Sequence, residues 1–142
     1  MTVTAGGTIT DTPLEAITAN GEASLDAGTS DIVLDNDAIH DFADAVSASG
    51  ANITVDDENA IELANINATG NLSVTAVGTI DDGVVTGTTT DVDVAGTSTF
   101  ISSSNANITV DDNTNEFVGA VSAAGTDVTL GCLLYTSPSP RD

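Results

Sequence analysis

One four-residue phrase constrains this chain more than any other feature: Asn or Asp, an aliphatic residue, any residue, then Val or Leu. It occurs at Asp31-Ile32-Val33-Leu34, Asn52-Ile53-Thr54-Val55, Asn71-Leu72-Ser73-Val74, Asp91-Val92-Asp93-Val94, Asn107-Ile108-Thr109-Val110 and Asp127-Val128-Thr129-Leu130. The start-to-start steps are 21, 19, 20, 16 and 20 residues. A period near twenty marks a solenoid, in which each unit buries its apolar face only by stacking on its neighbours. Within each phrase the second and fourth residues are aliphatic, the alternation of a half-buried strand. Stacked at about 4.8 Å, the phrases are expected to align Ile32, Ile53, Leu72, Val92, Ile108 and Val128 in one inner ladder.

Between the phrases run two further sets of strand-like segments. One contains Val46–Gly50, Ile66–Gly70, Val85–Gly87, Ile101–Ser103 and Val121–Gly125; the other contains Ile61–Leu63, Val77–Ile80, Thr99–Ile101 and Phe117–Val118. Turns rich in Gly, Asn, Asp and Ser join them, so each repeat offers about three short strands. Pro13 marks a corner, and only residues 36–46 have a weak helical look. The expected fold is all-β, a parallel β-helix of about 20 residues per rung and about six rungs, roughly 30 Å long. A β-sandwich is the alternative, but it gives no reason for phrases at a steady period. Duplication is also visible. Residues 51–57 (Ala-Asn-Ile-Thr-Val-Asp-Asp) recur identically at 106–112, and 42–50 echo 117–125.

Composition divides at Gly131. Residues 1–131 carry 21 acidic side chains and no Lys or Arg, no Cys, and Pro13 as their only proline. Such a surface repels nucleic acid and anionic membranes, since nothing can neutralise phosphate. No apolar run is long enough to span a bilayer. Hydrophobic content of 40% argues against disorder. Residues 132–142 supply the only Cys, Tyr and Arg and both other prolines, and they resemble the conceptual translation of a transposase-type sequencing adapter. They are accordingly set apart from the fold as a non-native tail. Residues 1–131 are expected to be a fragment of a longer repeat region, with open rungs at both ends and a tendency to aggregate.

The Phe-x-x-Ala-Val-Ser-Ala-x-Gly, Asn-Ile-Thr-Val and Asn-Leu-Ser-Val-Thr-Ala-Val-Gly-Thr-Ile pieces resemble the repeats of filamentous-haemagglutinin-type bacterial exoproteins. The resemblance covers nearly all of 1–131. It implies a right-handed parallel β-helix, a rod in a secreted or surface-exposed adhesin, and an extracellular location. Its partners would be adjacent repeats of the same polypeptide and environmental or host glycans and surfaces.

Candidate sites read mostly as structure. The Asn or Asp opening each phrase suits a turn entering a strand, and stacked Asn can form an amide ladder. The acid pairs Asp56-Asp57, Asp81-Asp82 and Asp111-Asp112, with Asp91 and Asp93, read as solvated turns that could bind calcium weakly. They match neither an EF-hand nor a calcium-binding nonapeptide. His40, the sole histidine, precedes Asp41 but lacks a nucleophile and reads as a turn residue. The Asn-x-Ser/Thr matches at Asn52, Asn67, Asn71 and Asn107 are accidents of the repeat. No catalytic, cofactor or metal residue is assigned. The function expected is a structural rod without catalysis. A polysaccharide-active β-helix enzyme and a calcium-stabilised extracellular β-repeat are the alternatives.

Overall fold

A computed structural model describes residues 1–13, 15–35, 40–83 and 90–132. Every strand pair in it is parallel, and the chain climbs through layers of three strands. The first layer is β1 (Thr2–Thr4), β2 (Ile9–Thr10) and β3 (Thr18–Ala19); the second is β4 (Ala23–Asp26), β5 (Ile32–Leu34) and β6 (Asp41–Phe42). The third layer has β7 (Val46–Gly50), β8 (Ile53–Asp57) and the first half of β9 (Ile61–Ala68), which turns a corner. The second half of β9, β10 (Leu72–Ala76) and β11 (Ile80–Asp81) form the fourth. Above them lie β12 (Val92–Val94), β13 (Ser98–Ser102) and β14 (Ile108–Val110), then β15 (Glu116–Phe117), β16 (Val121–Ala124) and β17 (Val128–Leu130). The molecule is a β-solenoid of six layers and about five turns, with no helix among the described residues. The all-parallel pairing rules out the sandwich alternative, whose sheets are antiparallel.

Alternation puts every second side chain inside. On the second face the inner column runs Ile9, Ile32, Ile53, Leu72, Ser98, Val121, with layer steps of 23, 21, 19, 26 and 23 residues. Beside it run Leu34, Val55, Val74, Phe100 and Ala123. The first face contributes Val3, Leu25, Ala48, Ile66 and Val92, and the third Ile61, Ile80, Ile108 and Val128. Ile32, Ile80, Phe100 and Ile108 are fully enclosed. Each such side chain contributes about 1.5–3 kcal/mol by leaving water. Phe117 meets Phe100 edge-on at 6.1 Å between ring centroids.

The single ladder of six phrases is therefore corrected. Ile32, Ile53 and Leu72 do stack, but Val92 lies on Ile66 of the first face, and Ile108 and Val128 lie on Ile80 of the third. The next residue above Leu72 is Ser98, 26 positions on. The identical heptapeptides 51–57 and 106–112 fall on different faces, in β8 and β14. The segments 46–50 and 121–125 are likewise displaced by one face. Any inward-aliphatic strand entered through an Asn or Asp turn suits all three faces, so the phrase does not encode which face it joins. The strand expected at Val85–Gly87 and the tail from 133 lie outside the described residues. In the segment with the helical look, Asp41–Phe42 is strand.

At the corner between the first and second faces, backbone stacks on backbone too closely for side chains. Gly96 donates its N–H to Gly70 O at 2.7 Å, and Gly119 to Gly96 O at 3.1 Å. A Cβ on Gly96 would sit 2.5 Å from Gly70 O, and one on Gly119 2.2 Å from Gly96 O. Only glycine permits that approach. Gly96→Ala is expected to lower the midpoint of thermal unfolding, by a loss of about 1–3 kcal/mol. Gly6→Ala, where a Cβ meets nothing within 4 Å, should leave it nearly unchanged. Circular dichroism melts of the two variants check the contrast.

Candidate functional site

The backbone ladder continues through the corners but leaves single N–H groups to side-chain acceptors, and several of the chain's polar side chains sit there. Entering the second face, Asp31 Oδ1 accepts from the Asn52 N–H at 2.9 Å and from Asn52 Nδ2 at 3.0 Å. Asn52 Oδ1 accepts from the Asn71 N–H at 3.0 Å. Asn71 Oδ1 accepts from the Thr97 N–H at 2.9 Å and from Thr97 Oγ1 at 3.0 Å. The side chains of Asp31, Asn52 and Asn71, which open the three phrases of the second face, thus accept the one N–H per layer that the main chain leaves over at this turn. Two of the glycosylation-pattern residues, Asn52 and Asn71, are members of this column.

Inside the stack the same device recurs in desolvated form. The Ile17 N–H donates to His40 Nδ1 at 3.0 Å, which places the imidazole proton on Nε2, 2.9 Å from Asp11 Oδ2. His40 is completely buried. It is not the turn histidine expected, and its carboxylate partner is Asp11 of the layer below, not the adjoining Asp41. Asp57, also fully buried, accepts from the Phe42 N–H at 2.8 Å and the Asn59 N–H at 2.6 Å. Asp82, only 3% exposed, accepts from the N–H groups of Asp111 at 3.0 Å and Asp112 at 3.1 Å, and from Asn115 Nδ2 at 2.7 Å. Asn115 in turn accepts the Val92 N–H at 2.9 Å.

Two of the acid pairs thereby depart from the solvated-turn expectation: one carboxylate of each faces inward. The signal was the strand alternation itself. Residues 53, 55 and 57 share one face of β8, and 80 and 82 share one side of the run continuing β11. Asn115 carried no comparable signal, because it precedes a strand only two residues long. Among the described residues no three His, Cys, Asp or Glu side chains converge as metal ligands. Cys132 is free and exposed. No helix among them is long and apolar enough to cross a membrane.

Outside, acids stack on acids. Glu62 pairs in register with Asp81, and Asp93 with Glu116. Like charges directly opposite each other destabilise a sheet. The first pair borders an open groove of about 420 Å³ lined by Phe42, Asp44, Ile61, Glu62, Thr79 and Asp81. Partial desolvation, reinforced by Asp82 and Asp111, raises the proton affinity of Asp81; desolvation with Asp91 and Glu116 raises that of Asp93. Desolvation also raises Asp57 against the pull of its two N–H donors, and Asp56 against a hydrogen bond from Thr75. Asp112 is lowered, chiefly by hydrogen bonds from Thr114.

This geometry defines a β-solenoid repeat protein whose polar interior is spent on joining layers. The family of repeats of unknown function (DUF5649) matches residues 1–49 and 50–124, and the chain belongs to it. No curated protein and no solved structure matches the chain significantly.

Two outcomes follow from the site geometry. Asp82→Ala strands the buried Asn115 amide and two part-buried backbone N–H groups and should cost about 1–3 kcal/mol, whereas Asp26→Ala, exposed on β4, should cost under about 1 kcal/mol. Denaturant titration measures both. The second outcome concerns pH. Four raised carboxyls bind protons more tightly folded than unfolded, so stability rises as pH falls from neutral toward the ordinary value of 3.8 and flattens below it. Asp112, whose proton affinity is lowered, pulls the other way only below 3.8. The melting midpoint should be higher at about pH 5 than at pH 7.5, and a fall over that interval would contradict the assignment.

Proposed function

We propose that this chain is a stalk segment: a length of stiff rod in a large secreted or surface-exposed bacterial protein, adhesin-like and resembling the filamentous-haemagglutinin type. Its task is mechanical, holding a distal region away from the cell, with the outer Thr, Asn and Asp positions offering a weak surface to glycans. One observation carries this reading. Among the described residues every buried polar side chain except Ser98 has a hydrogen-bond partner, and the buried ionisable groups hold backbone N–H groups of the same or a neighbouring layer. Carboxylates and an imidazole committed in that way support a scaffold better than a reaction centre.

The direct test inserts the chain between a bacterial surface anchor and an epitope and measures the spread of epitope heights above the membrane. A stack about 30 Å long should give a narrow distribution, whereas a Gly/Ser linker of equal residue number, averaging roughly 65 Å end to end, should give a broad one. An equally broad distribution from the chain would sink the spacer reading.

A calcium-stabilised variant of the same reading draws on the stacked acids Glu62/Asp81 and Asp93/Glu116. Weak surface calcium there would raise the melting midpoint above that in sodium chloride of equal ionic strength, and chelator would reverse it. Identical midpoints in the two salts would leave simple screening as the whole effect.

A further inference from the structure

Asn20-Gly21 is the one Asn-Gly pair in the chain. It forms the bend between β3 and β4, at the corner from the third face to the first. The flanking pairs, Ala19 with Phe42 and Ala23 with Val46, are both 23 residues apart, which sets Asn20 and Gly21 against Ala43 and Asp44 of the second layer. Asn20 is exposed, and so are Ala43 and Asp44, although the second layer has a layer on either side. The exposure thus belongs to the corner and not to the first layer's place in the stack. The Gly21 N–H meets no acceptor among the described residues, and a Cβ on Gly21 would meet nothing within 4 Å. Ile17 and Ala23 on either side donate upward, to His40 Nδ1 and Ala45 O, so the second layer is where an acceptor for Gly21 would stand. Other asparagines are followed by nitrogens held in the ladder. The N–H groups of Ile53, Leu72 and Ile108, after Asn52, Asn71 and Asn107, donate at 2.9 Å to Asn71 O, Thr97 O and Asp127 O.

We propose that Asn20 is a site of spontaneous covalent modification, converted to aspartate and isoaspartate through a succinimide. A main-chain nitrogen can close a five-membered ring on the side chain before it when that nitrogen is free and its residue has no Cβ in the way. Gly21 N forms a bond to Asn20 Cγ, the Cγ–Nδ2 bond breaks, and Nδ2 leaves as ammonia with the proton from Gly21 N–H. Water then opens the ring. Cleavage of the new bond at Cγ leaves aspartate at position 20; cleavage at the main-chain carbonyl carbon of Asn20 leaves isoaspartate, with the main chain running through Cγ. One water is consumed and one ammonia released. Either product adds a negative charge beside Glu22 and one layer below Asp44, in a chain already at −21. Isoaspartate also adds a main-chain atom to a corner clamped to the second layer on both sides, by Ala43 N–H to Ala19 O at 2.9 Å and Ala23 N–H to Ala45 O at 3.0 Å. The proposal rests on the corner geometry and not on the stalk reading.

Mass spectrometry of the 142-residue chain, aged in mildly alkaline buffer with and without urea, tests it. A glutamate-specific protease cuts after Glu15 and Glu22 and so releases residues 16–22 as one peptide. That peptide should gain about 1 Da before any other asparagine-containing peptide of the folded chain, and an aspartate-specific protease should cut only its aspartate form. Because the corner leaves Asn20 and Gly21 free, the folded chain should react within about tenfold of the rate in urea. A folded chain slower than that, or one in which another asparagine reacts first, overturns the proposal. Gly21→Ala, for which the corner has room, should slow the reaction at least about threefold, and a smaller change would mean that Gly21 N is not the attacking atom. Should that variant lose its strand signal in circular dichroism, the comparison of folded and urea rates in the unaltered chain decides.

Discussion

Everything in this molecule depends on the inter-layer hydrogen bond. A strand of two to eight residues has no stability alone, and no layer here encloses a core without the layers above and below. The backbone ladder fixes the spacing, the spacing sets which side chains touch, and alternation along each strand sends aliphatics inward. Small branched side chains fill the narrow interior, with Phe42 and Phe100 as the fully enclosed aromatics. Where the main chain leaves an N–H over at a corner, a side-chain acceptor takes it: Asp31, Asn52 and Asn71 in a semi-exposed column, His40, Asp57, Asp82 and Asn115 in desolvated ones.

That substitution explains why an acidic chain can be folded and yet keep carboxylates inside. Burying a charge without partners is prohibitive, but a carboxylate receiving two or three N–H donors is tolerated. Asp82 meets that condition with three donors and Asp57 with two. The exposed acids are less well served, since Glu62 and Asp81 face each other across one layer step. The interior is thus better matched electrostatically than the surface.

The solenoid, its three strands per layer and the inward aliphatics were legible in the sequence because period and alternation are properties of short windows. The assignment of phrases to faces was not. Asn71 to Asp91 is a step of 20, close to the others, yet Val92 joins the first face while the second is reached only at Ser98. The layer step varies from 19 to 26 on the second face alone, so the even step from Asn71 to Asp91 is coincidence. Asp57 and Asp82 were readable from strand parity once burial was allowed to override charge. The pairing of His40 with Asp11, 29 residues away, follows from three-dimensional layering that no local window contains.

Register between the fourth and fifth layers is the point at which the structure and an even repeat disagree most. It can be measured by cross-linking in a Cys132→Ser background. Ser73 and Thr99 are opposite each other on β10 and β13, about 4.8 Å apart, within disulfide reach. Cysteines at 73 and 99 should therefore link on mild oxidation, and cysteines at 73 and 93 should not. A 73–93 link with no 73–99 link would mean that the phrases do form one continuous ladder, and that the layering described above is wrong.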